Sequence, residues 1–62
     1  MRVEEKIEGT IKTVEDLQRF LFEVNVAAGK IVSIGGDPVQ INFYAVQSTP
    51  PILRAQVFGD LP

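Results

Sequence analysis

The chain has 62 residues, a formal net charge of −2 at pH 7, and neither cysteine nor histidine. Those two absences remove disulfides, thiolate metal sites and the imidazole ligand sets of zinc, copper and haem, so no metal and no cofactor is expected. A chain this short buries about 60% of the surface its unfolded form exposes and draws roughly 3–5 kcal/mol from its own core, so small scaffolds lean on disulfides, a metal or oligomerisation. Of these, the composition favours self-association.

Charge placement sharpens the point. Ten of the charged residues lie in residues 1–23, and only Lys30, Asp37, Arg54 and Asp60 follow. A small monomer's surface usually carries about 25–35% charged residues, so the C-terminal two-thirds is thinly provided for contact with water. The basic residues Arg2, Lys6, Lys12, Arg19, Lys30 and Arg54 are scattered singly, whereas nucleic acid is held by clustered Lys and Arg. No apolar run nears the roughly 18 residues of a membrane span, and "MRVEEKIEG" has acids where a signal peptide carries its apolar stretch. The expectation is one domain, residues 1–62, in the cytoplasm, with neither nucleic acid nor membrane as partner.

Residues 2–12, "RVEEKIEGTIK", alternate with the period of a strand that has one buried face: Val3, Ile7 and Ile11 share a parity with Glu5 and Gly9. Gly9 marks either a bulge or a close approach by a neighbour. Glu5 on the apolar parity places the strand's start near an edge.

Thr13 stands where a helix N-cap belongs, followed by Glu15 and Asp16 at the positive end of the dipole. Asp16 sits where a capping box prefers Glu or Gln, which predicts a partial box. Gly29 reads as the residue just past the helix, with Lys30 beside the last carbonyls. Between these limits Val14, Leu17, Phe20, Leu21, Val24 and Ala28 form one apolar stripe at about 100° per residue. Phe22 and Val26 fall on the opposite side, four residues apart and therefore in contact. Two adjacent apolar residues on a water-facing side begin a patch.

After Gly29, Ile31, Val32 and Ile34 read as a short strand, and "GGDP" as a hairpin turn. The next strand, 39–47, is apolar on both parities, with Val39, Ile41, Phe43 and Ala45 on one and Tyr44 and Val46 on the other, a pattern of central strands. "STPP" breaks the chain, and residues 52–58 form the last strand, leaving "GDLP" as a frayed tail. The predicted fold is α+β in β-α-β-β-β order, with one helix on one face of a four-stranded mixed or antiparallel sheet. Tyr44, Val46, Ile52 and Phe58 are left on the far face. Together with Phe22 and Val26 they form the predicted interface.

Little in the chain points to catalysis. Glu4, Glu5, Glu8, Glu15 and Asp16 lie in a strongly polar segment and read as a solvated face. "SIGGDP" lacks the Lys and Ser/Thr of a phosphate-binding loop. Ser33 and Ser48 have no histidine to activate them. No catalytic residue is assigned. The function expected is a non-enzymatic interaction module: a homo-oligomer, most simply a dimer, that binds another protein. The alternative is a sensing or sequestering protein for a nucleotide or metabolite. Its pocket would lie at a subunit interface, with Gln40, Asn42, Phe43, Tyr44 and Arg54 as the candidate wall, since ligand sites mix apolar lining with a few placed polar groups.

Overall fold

A computed structural model describes residues 1–62 and contains β1 (Arg2–Thr10), α1 (Val14–Ser33), β2 (Val39–Val46) and β3 (Ile52–Asp60). The strands lie in the order β1-β3-β2, and both pairings are antiparallel, with an unbroken register from Arg2 opposite Asp60 to Thr10 opposite Ile52 and from Val39 opposite Gly59 to Val46 opposite Ile52. The general class is α+β as expected. The four-stranded sheet and the β-α-β-β-β order are not found: the sheet has three strands, and the order is β-α-β-β.

The difference comes from the segment after Gly29. Ile31, Val32 and Ser33, expected in a strand, are the last turn of the helix. Ile31 follows Phe20, Val24 and Ala27 at helical spacing, and these four are the buried residues of α1. Burying Ile31 in the core outweighs both the mild reluctance of β-branched residues to be helical and the glycine at 29, which costs up to about 1 kcal/mol within a helix. The helix ends at Ile34, whose N–H donates to the Lys30 carbonyl, while the Gly35 N–H donates to the Val32 carbonyl. Gly35, at φ +93°, takes the left-handed position that closes it. "GGDP" therefore joins helix to strand instead of turning a hairpin.

At the other end Thr13 and Asp16 form a full capping box. Thr13 Oγ1 accepts from the Asp16 N–H at 3.2 Å, and Asp16 Oδ2 accepts from the Thr13 N–H at 3.2 Å and the Lys12 N–H at 2.9 Å. The shorter carboxylate of Asp reaches where Glu or Gln was expected.

The core is one cluster of Phe20, Val24, Ala27 and Ile31 from α1 with Ala55 and Val57 from β3, edged by Val3, Ile7, Ile11, Ala28, Val39 and Leu53. Two glycines let the helix sit this close. A Cβ on Gly9 would meet Phe20 Cδ1 at 3.2 Å, and one on Gly59 would meet Ile31 Cγ2 at 2.6 Å. Gly9 thus serves a close approach, and β1 carries no bulge. Central position belongs to β3, not to the strand at 39–46, which lies at the sheet's edge. The C-terminal residues are held as well: β3 runs to Asp60, and the Leu61 N–H donates to the Met1 carbonyl at 2.7 Å. No helix is long and apolar enough to cross a membrane.

Candidate functional site

The helix packs mainly over β1 and β3, so the sheet is wider than its cover. Residues paired across an antiparallel ladder share a face. Val39, Ile41, Phe43 and Ala45 are opposite Gly59, Val57, Ala55 and Leu53, and therefore lie on the helix side with the core. Yet Ile41, Phe43 and Ala45 are exposed. Phe43 keeps 57% of its surface in water although its ring lies within 6.5 Å of the Phe20 centroid. On the flank of α1 nearest β2, Leu21 and, one turn earlier, Leu17 are exposed too. Leu21, Phe20, Phe43, Tyr44, Ala45, Leu53 and Arg54 line an open, largely apolar cleft of about 280 Å³ between helix and sheet edge.

Leu17, Leu21 and Ile41 are the residues that sequence reasoning assigned to the interior. With the helix ending at Gly29, the stripe centred on Leu17, Leu21 and Ala28. With Ile31 included, the buried line rotates by about 50° at the helical period toward Ala27, and Val14, Leu17 and Leu21 turn outward. The available signal was the spacing Phe20, Val24, Ala27, Ile31 running through Gly29.

Phe22 and Val26 lie on the other flank of the helix and are exposed, Phe22 at 66%. They overlook the outer edge of β1, where they line a groove of about 410 Å³ with Glu5, Lys6, Ile7, Glu23, Ala27 and Lys30. This surface is mixed in charge, whereas Arg54 is the one charged residue lining the cleft beside β2.

The far face of the sheet holds Tyr44, Val46, Ile52 and Phe58. Val46 and Ile52 are opposite each other, as are Tyr44 and Arg54. They are interleaved with a polar lattice in which Arg54 Nε donates to Glu8 Oε2 at 2.7 Å and Gln56 Nε2 donates to Glu4 Oε1 at 2.6 Å. The Arg2 guanidinium covers the Phe58 ring at 4.2 Å from its centroid.

Among the residues suggested as a ligand wall, Gln40, Asn42, Tyr44 and Arg54 share the far face, whereas Phe43 points to the helix side. Only Phe43, Tyr44 and Arg54 meet, where the cleft reaches the edge of the sheet.

Asp16 has a displaced pKa. The hydrogen bond from the Lys12 N–H, helped by the Thr13 N–H and the Arg19 guanidinium at 3.6 Å, holds its carboxyl below the ordinary carboxylate value, against a smaller opposing effect of desolvation. All its partners belong to the helix cap, and its role there is structural. No protein-family model, no curated protein and no solved structure matches this chain.

Proposed function

We propose that the chain is a non-enzymatic interaction module that works as a homo-oligomer and binds another protein. The observation that carries this reading is the mismatch between sheet and cover: Phe43 and Ile41 belong to the face that builds the core, yet the single helix leaves them in water. Monomers rarely leave large contiguous apolar patches open, and those they do leave mark binding surfaces. Two separate apolar surfaces, one beside β2 and one at Phe22 and Val26, suit a module that joins its own copy and a second protein. Light scattering behind a sizing column, over a hundredfold range of concentration, tests the first half. A mass above the 6.8 kDa of one chain supports the reading, and a single-chain mass throughout removes it.

The small-ligand reading is second. Its support is the open, largely apolar cleft in which Leu21 and Phe43 stand between the helix and the sheet edge. A thermal-shift screen with nucleotides and metabolites separates the two, because a bound ligand raises the melting temperature in proportion to the logarithm of its concentration. A flat response across the library removes this second reading.

A further inference from the structure

We infer that β2 is the edge through which two copies of this chain join, antiparallel about a two-fold axis through Asn42, into one six-stranded sheet with both helices on the same side. This rests on the self-association reading above and names its surface.

The sheet has two edges, and they are built differently. β1 carries Arg2, Glu4, Glu5, Lys6 and Glu8 along its length, the kind of charge that keeps an edge from pairing with strangers. β2, "VQINFYAV", has no charge, no proline and no bulge in its register. Half of its N–H and C=O groups point away from β3 with no partner in the chain. An eight-residue neutral edge of this sort is a ready template for another strand.

A second copy is the occupant that fits. Paired residues must share a face, so a strand that pairs with itself antiparallel has to centre on a residue and not between two. Centred on Asn42 in the middle of β2, Ile41 faces Phe43 of the second copy and Phe43 faces its Ile41. These are aromatic-to-β-branched pairs of the favoured kind. On the far face Gln40 meets Tyr44 and Asn42 meets Asn42, so no charge is buried and none opposes its like. The exposed parts of Leu17, Leu21, Ile41, Phe43 and Tyr44 offer on the order of 400–500 Å² per copy, and the paired backbone adds to this, approaching the ~800 Å² per partner of a standard interface. Charged β1 then forms both outer edges of the joined sheet, so the assembly closes at two copies rather than growing.

Asn42 is exposed, so a charge there leaves the fold of one chain intact, as far-UV circular dichroism will read. Light scattering should give the wild type twice the 6.8 kDa chain mass. Asn42→Lys and Asn42→Asp should each fall to the mass of one chain, because like charges meet across the axis, and an equimolar mixture of the two should return to the doubled mass. If both variants keep the doubled mass while Phe22→Glu with Val26→Lys falls to one chain, the seam is the other flank of the helix. Self-association then stands and this inference does not. A wild type at single-chain mass overturns both.

Discussion

Phe20 and Phe43 hold their rings 6.5 Å apart and tilted by 58°, yet Phe20 is 2% exposed and Phe43 57%. One ring closes the core and the other stands at its open border. Replacing Phe20 by Leu should cost about 1–1.5 kcal/mol, and by Ala about 3–5 kcal/mol, close to all the stability a chain of this size has. Phe43→Ala should cost less than half as much as Phe20→Ala when denaturant unfolding is followed at concentrations where the chain is monomeric. Equal costs would mean that Phe43 belongs to the core after all.

Gly29 and Gly59 are predicted to respond to alanine with opposite signs. A Cβ at Gly29, mid-helix, meets nothing within 4 Å. Gly29→Ala should therefore stabilise by about 0.5–1 kcal/mol, raising the melting temperature by several degrees. At Gly59 the added methyl would press on Ile31 Cγ2 at 2.6 Å and approach the Pro38 carbonyl at 3.4 Å. Gly59→Ala should cost about 1–3 kcal/mol. Thermal melts of the two variants check both signs.

The capping box makes a prediction about acid. Asp16 has a folded pKa below its unfolded value, so the stability linked to its charge is complete above the unfolded value of about 3.9 and is lost as pH falls from there through the folded pKa. Asp16→Asn keeps an acceptor for the Lys12 and Thr13 amides but cannot titrate. Urea midpoints measured from pH 5 to pH 2 should show a shallower decline for the variant. Thr13→Ala, which removes the other half of the box, should cost about 1 kcal/mol at every pH in that range.

The ion pair between Arg54 and Glu8 is short at 2.7 Å but open to water on both sides. A double-mutant cycle through Arg54→Ala and Glu8→Ala should give a coupling of about 0.2–1 kcal/mol, shrinking in added salt. A larger, salt-insensitive coupling would show that something covers the far face of the sheet.

How much of this was legible in the sequence varies with the reach of the interaction. The three long strands and the Thr13 cap rest on neighbours a few residues apart, and their alternation and capping chemistry placed them within about two residues of the observed bounds. The segment at 31–34 failed because its local preference and its distant partners disagree: three β-branched residues point to a strand, while Ile31 is drawn into the helix by Gly36, Gly59 and the core. The position of β2 failed for a related reason. Its two-sided apolar pattern marks a strand with much to bury, and nothing local distinguishes a strand already between neighbours from one that lacks its second neighbour. The order β1-β3-β2 decides that, and it is set by the pairing of β1 with β3, whose partners run from Thr10 and Ile52 to Arg2 and Asp60, 42 to 58 residues apart. The split of the suggested ligand wall followed directly, since Phe43 and Tyr44 are consecutive and a strand sends consecutive side chains to opposite faces.

The hydrogen bond between Leu61 and Met1 puts the first and last residues side by side at one corner of the sheet. Whatever is joined to either end, be it a tag, a neighbouring domain or a linker closing the chain into a ring, leaves from that corner, with β3 standing between β1 and β2. A loop of a few residues bridging Met1 and Pro62 would let the chain be reopened in the exposed segment Gln47–Thr49, so that β3, the strand both others depend on, is made before β2 instead of last.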